Sequence, residues 1–240
     1  MFSDFEKLLK EKQYKIATFK RGKITKVDLE KFKMVILGLP QEQISDGEIQ
    51  AILDFVAAGG GLLLASGWGT WPWDLLGMGR PSRDGTFSGY PSHKKGTIKI
   101  INELAAEFGI IFEQKLINGG RKRYFEKFSL GRFVFQHPLP IISAFKPHPI
   151  VENVAELIIR DCIPLHLSKE MHAIGFTDAD TEPPSCIVLA AGEYDRGKII
   201  ALSSPAVFLR KSYMKIGIDY GLSKQDHQNL AINIVNWLSN

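Results

Sequence analysis

An α/β fold, three layers deep around a mostly parallel sheet that antiparallel strands extend, is what the sequence predicts, and three observations predict it. Met34-Val35-Ile36-Leu37 and Leu62-Leu63-Leu64-Ala65 are apolar runs without alternation, as in parallel strands covered by helices on both faces. Between them stands a helix with start and stop signals. Ser45 is followed three residues later by Glu48, Ile44 and Ile49 can staple across the start, and Ile49, Ile52, Leu53 and Val56 recur at helical spacing before Gly59-Gly60-Gly61. Such a βαβ unit closes right-handed, so the two strands are expected as neighbours. Their carboxyl ends, Gly38-Leu39-Pro40 and Ser66-Gly67-Trp68-Gly69, then share the edge where open α/β sheets bind ligands.

Composition bounds the reading. The 240 residues suffice for one sizeable core, and no internal stretch reads as a linker, so residues 1–240 are expected as a single domain. A hydrophobic content of 45% with 23% charged residues is that of an ordered chain. No apolar run reaches the ~20 residues of a membrane helix, and Met1-Phe2-Ser3-Asp4 lacks a signal-peptide pattern. A cytoplasmic location without membrane insertion is the expectation. Cys162 and Cys186 read as small core residues of a reduced protein.

Before the central unit, Ser3 with Glu6 opens a short helix bearing Phe5, Leu8 and Leu9, and Tyr14 to Phe19 reads as a strand. Leu75 to Gly96 is rich in Gly, Pro, Ser and Arg without periodicity; with Gly67 to Trp73 it suggests a lid-like loop over about 67–96. Thr97 reads as the cap of a helix carrying Ile98, Ile101, Leu104, Ala105 and Phe108, which Gly109 ends before a strand at Ile110-Ile111-Phe112. From Gly119 to Pro149 charges, aromatics and prolines mix without pattern. The tail turns to strands at Glu156–Ile159, Ala173–Phe176 and Ile187–Ala191, and Glu193 to Gly197 reads as a hairpin turn into Lys198–Leu202. Leu230, Ile234, Trp237 and Leu238 mark the buried stripe of a last helix.

The segments KMVILGLP, ISDGEIQAILDFVAAGGGLLLASG, LAAEFGIIF, HPIVENV, GEYDRGKIIALSSP and DHQNLAINIVNWLS, in this order and spacing, resemble the class I glutamine-amidotransferase-like superfamily. More narrowly they resemble its non-catalytic branch, which includes the N-terminal domain of intraflagellar transport subunit 52 and gliding-motility proteins. The resemblance covers most of the chain outside Leu75–Gly96 and Gly119–Phe145, and implies a flavodoxin-like, amidotransferase-like architecture. Catalytic members carry a cysteine nucleophile on a sharp turn after the strand that follows the glycine run. At the matching place Ala65-Ser66-Gly67-Trp68-Gly69 offers glycine, and Ser204-Pro205-Ala206 stands where those members have His-Pro-Glu. The resemblance therefore implies no catalytic triad; the six histidines lack any metal-binding spacing, so no metal is expected, and no cofactor either.

The candidate ligand-binding residues are Pro40, Ser66, Gly67, Trp68, Trp71, Trp73, Ser203 and Ser204. Three tryptophans beside polar groups suit a protein, a peptide, a sugar or another small polar ligand; equally, they suit packing of the lid onto the sheet. The expected function is a non-catalytic binding or assembly module. The alternative is a hydrolase or sugar-processing enzyme using Ser66 or Ser203 with a lid residue such as His93. Arg121-Lys122-Arg123-Tyr124-Phe125 with Lys127 and Arg132 interleaves basic and aromatic residues, and reads as a solvated face rather than a nucleic-acid site.

Overall fold

The computed structural model describes residues 3–19, 23–40, 42–67, 80–81, 87–88, 92–121, 123–130, 133–168, 170–209 and 221–240. Helix α1 (Ser3–Glu11) buries Phe5, Leu8 and Leu9. Tyr14 to Phe19 forms no strand, contrary to expectation. Its side chains are held instead: the Tyr14 hydroxyl donates to Asn236 Oδ1 at 2.6 Å, and Tyr14 and Ile16 lie against the core. A single turn, α2 (Lys26–Leu29), is closed by reciprocal bonds between Thr25 and Asp28.

Strand β1 (Met34–Gly38), helix α3 (Asp46–Ala57) and strand β2 (Gly61–Ala65) are the predicted unit. Glu48 accepts from the Ser45 N–H at 3.0 Å and hydroxyl at 2.7 Å, and from the Ile24 N–H at 3.0 Å. These donors, Ile24 foremost, hold its carboxyl below the ordinary range and tie α3 to the segment before α2. The buried face of α3 is Ala51, Ile52, Phe55 and Val56; Ile49 and Leu53 lie at its margin, so the stripe is rotated from the one expected.

Strands β3 (Arg80–Pro81) and β4 (Phe87–Ser88) pair antiparallel. Helix α4 (Ser92–Ala105) begins before Thr97, which lies inside it rather than capping it. A 3-10 turn and Gly109, at φ +70°, end this helix ahead of β5 (Ile110–Phe112). The Asn102 amide clamps the two: Nδ2 donates to the Phe112 carbonyl at 2.9 Å and Oδ1 accepts from its N–H at 2.8 Å. Then follow β6 (Arg123–Leu130), β7 (Phe133–Ile142), β8 (Ala144–Phe145), β9 (Leu157–Ile158), β10 (Leu165–Leu167), β11 (His172–Phe176), β12 (Ile187–Tyr194), β13 (Gly197–Leu202) and α5 (Gln225–Ser239).

The main sheet has eight strands, running β1-β2-β13-β12-β10-β5, with β11 on β12 and β8 on β11. Among the described residues only β1–β2 and β2–β13 pair in parallel; the pairings of β12 with β13, β10 and β11, of β10 with β5 and of β11 with β8 are antiparallel. The expectation of a mostly parallel sheet is corrected accordingly. The physical reason lies in the tail: β12 returns to β13 through a tight turn at Asp195 (φ +51°), and a tight turn joins only antiparallel neighbours. The strand expected at Glu156–Ile159 is Leu157–Ile158, which pairs with β7 beside β6.

Alternation sorts the buried side chains of the main sheet into two clusters, while Leu139 and Ile158 of β7 and β9 form a third. Leu63, Ala65, Ile200, Leu202, Leu189 and Ala191 join Phe5 of α1 and Leu230, Ile234 and Leu238 of α5. Leu62, Leu64, Ile199, Ala201 and Ala190 join Ile52 and Val56 of α3 and Ile101 and Leu104 of α4. Helices thus cover both faces at the centre. Each fully buried Leu or Ile contributes roughly 1.5–3 kcal/mol.

His227 of α5 is buried between β9 and the 3-10 turn Pro205–Phe208. Its Nε2 accepts from the Ile158 N–H at 3.0 Å, leaving Nδ1 to donate to the Val207 carbonyl at 3.2 Å. Burial pushes its pKa from 6.5 down to about 4. The unfolded imidazole takes up a proton that the folded one refuses. Its stabilising contribution is therefore complete above pH 6.5 and is lost as pH falls through about 4. Urea unfolding across that window should show stability falling by on the order of 3 kcal/mol, and His227→Gln should remove this step.

Candidate functional site

Parallel register aligns Gly38, Ala65 and Leu202 across β1, β2 and β13. Beyond them, the Leu39 N–H still donates to Ala65 (3.2 Å), the Ser66 N–H to Leu202 (3.2 Å), and the Ser203 N–H to Val188 (2.9 Å). Pro40, Ser66, Gly67, Ser203 and Ser204 therefore follow the ends of neighbouring strands at one edge. Leu39 turns out of β1 at φ +47°, a region costly for a residue with a side chain. Trp68, Trp71 and Trp73 lie outside the described residues, as does most of the lid-like loop expected over 67–96.

The serines are enclosed. Ser66 and Ser203 are completely buried. Ser66 Oγ has no hydrogen-bond partner, ionisable or otherwise, among the described residues. Ser203 Oγ lies 3.1 Å from Cys162 Sγ, and burial pushes that thiol up to about 12. Ser204 Oγ accepts from the Ala206 N–H at 3.1 Å, capping the 3-10 turn Pro205–Phe208 where the resemblance would place the base and its acid.

Gly67 is pressed from the side. A Cβ built on it would stand 2.7 Å from the Asp161 carbonyl oxygen, 3.1 Å from Ser204 Oγ and 3.3 Å from Ser204 Cβ. Asp161 adopts φ +57°, and its carboxylate is 3.7 Å from Arg160 Nε, both side chains being buried. Sequence reasoning missed Arg160 and Asp161. Their signal was a charged pair set between Leu157-Ile158-Ile159 and Cys162-Ile163, since charges inside an apolar run are buried only when paired.

Among the described residues no group of three or more His, Cys, Asp or Glu side chains is placed to hold a metal. Nor is any helix there long and apolar enough to cross a membrane. Arg121 and Arg123 are exposed; Arg123 opens the β6–β7 ladder and Arg121 precedes it, its N–H donating to Asp180.

No protein-family model and no curated protein matches the chain. Solved structures do. The N-terminal domain of mmIFT52 is similar with a TM-score of 0.69 at 21% identity, covering 100% of this chain and 90% of that one. A cytoplasmic protein from Salmonella typhimurium reaches 0.60 at 13% identity, covering 98% and 86%. A ThuA-like protein from Parabacteroides merdae reaches 0.55 at 10%, covering 99% and 83%. At these identities the likeness is one of fold, and it agrees with the general resemblance read from the sequence.

The buried Cys162 thiol should be inert in the folded chain, because thiolate is the reactive form. A thiol-disulfide dye at neutral pH should titrate Cys186, which is only half-buried, and reach Cys162 only after denaturant is added.

Proposed function

We propose that the chain is a non-catalytic binding or assembly module: a single, three-layer, flavodoxin-like domain of the amidotransferase-like kind. It recognises a protein, peptide or sugar at the carboxyl edge of β1, β2 and β13. One observation carries this reading above the others. The position of the amidotransferase nucleophile is held by Gly67, with the Asp161 carbonyl so near that a side chain would have to displace backbone. Acyl transfer needs a nucleophile with a positioned base, and removing such a group costs several orders of magnitude in rate. Ser66 is enclosed and Ser203 is engaged with Cys162. The fold likeness to the mmIFT52 N-terminal domain and to a ThuA-like protein supports the same architecture.

Recognition then falls to Pro40 and the segment bearing Trp68, Trp71 and Trp73, because flat aromatic faces bury large area at small entropic cost. The test pairs two assays on the purified chain. Peptide and glycan arrays should give signals that Trp68→Ala or Trp71→Ala weakens by about tenfold or more and Ser66→Ala spares. A panel of glutamine, ester and glycoside substrates should show no turnover that depends on Ser66; turnover abolished by Ser66→Ala would make the chain a hydrolase and end the non-catalytic reading.

A further inference from the structure

The hairpin of β6 and β7 carries an unequal pair of edges. Along β7, the Pro140 carbonyl accepts from the Ile159 N–H at 3.2 Å, so it faces β9 and away from β6. In a strand the N–H and C=O of one residue point to the same side, and the next residue but one repeats that side. Pro138 and Pro140 therefore spend their missing N–H groups on the outer edge of β7 and leave its ladder to β6 intact. A proline-bearing edge cannot donate to an incoming strand.

The register sets Arg123 opposite Pro140, Phe125 opposite Pro138 and Lys127 opposite Gln136. These are the non-hydrogen-bonded pairs of the ladder. The N–H and C=O groups of Arg123, Phe125, Lys127 and Ser129 thus point away from β7, along an edge that no strand covers among the described residues. Strand β6 is eight residues long and contains no proline. Such a row of backbone donors and acceptors is a template for one more strand.

Charge selects the strand. Residues 121–132 hold Arg121, Lys122, Arg123, Lys127 and Arg132 against one acid, Glu126, an excess equal to the net charge of +4 of the whole chain. Arg121 and Arg123 are exposed, Phe125 is 40% exposed, and the Arg123 guanidinium sits 5.0 Å above its ring. A second copy would set this basic run against itself, a repulsive arrangement across strands. We infer that the open edge of β6 captures an extended, acidic segment of a partner protein by β-strand addition, with the exposed Arg121 and Arg123 selecting the charge and Phe125 supplying an apolar contact. This surface is separate from the carboxyl edge and does not depend on its function.

Fluorescence anisotropy of a fluorescein-labelled peptide alternating threonine and glutamate tests it directly. The full chain should bind this peptide, and should bind its lysine-for-glutamate counterpart and a version N-methylated on alternate residues at least about tenfold more weakly. Arg123→Glu should weaken binding to a similar degree. Phe125→Pro removes the outward N–H together with the ring, so it should abolish binding while the circular dichroism spectrum stays that of the parent, whereas Phe125→Ala, which keeps the N–H, should weaken binding less; if the proline variant unfolds, the N-methylated peptide decides the backbone contribution. No binding of the acidic peptide, equal binding of the basic one, or indifference to N-methylation would overturn strand addition. Binding of single-stranded oligothymidylate in its place, falling steeply with salt, would make the hairpin a nucleic-acid surface instead.

Discussion

Strand β2 is buried on both faces and bonded in parallel on both edges, and the rest of the molecule is registered against it. Leu62, Leu63, Leu64 and Ala65 are completely inaccessible, and they alternate between the cluster under α1 and α5 and the cluster under α3 and α4. A strand enclosed in this way has no freedom to slip, because a shift of one residue would exchange its two faces. Its length therefore fixes where the carboxyl edge falls. Gly38, Ala65 and Leu202 end together, and the residues after them have to find partners where the sheet stops supplying them.

What they find is mostly protein. Ser203 meets Cys162, Ser204 caps the turn Pro205–Phe208, and Gly67 lies against the carbonyl of Asp161. The segment Arg160-Asp161-Cys162 enters the edge from the side, with Asp161 in the left-handed region. In a catalytic edge the same ground would have to stay open for a nucleophile, a base and a reacting carbonyl. Here the ground beneath the strand ends is occupied by the protein's own Asp161, Cys162 and Ser204. Beside the turn that Ser204 caps, α5 holds the sheet of β6, β7 and β9 to the main one: His227 bonds both Val207 and β9, and Asp226 accepts from the Ala155 and Glu156 N–H groups at 2.9 and 2.8 Å.

The central unit was legible because its signals are local: an apolar run, a capping box, a helical stripe and a glycine stop, all within Lys33 to Gly67. So was the hairpin of β12 and β13, with its turn at Asp195. The parallel-to-antiparallel balance was not, because strand direction beyond β13 depends on contacts between distant segments such as Leu165 with Phe112. Arg123 to Ile142 hid a long hairpin behind prolines, which read as breakers; their N atoms turn out to face the side where no bond to β6 is lost. Among the candidate site residues, Pro40, Ser66, Gly67, Ser203 and Ser204 were placed together by the parallel register, which the sequence pattern carries. The burial of the two inner serines and the intrusion of Asp161 come from chain packing, and no motif encodes that.

At Gly67 the place that the resemblance gives to a nucleophile is closed by the Asp161 backbone. Gly67→Cys puts at that place the residue that the resemblance assigns to catalytic amidotransferases and measures this most directly, by equilibrium denaturation together with alkylation of the new thiol in the folded chain. Backbone at 2.7 Å from the added Cβ predicts a loss of about 1–3 kcal/mol, a thiol slow to alkylate and no glutaminase activity. A variant as stable as the parent, with a rapidly alkylated thiol at Cys-substituted Gly67, would contradict it.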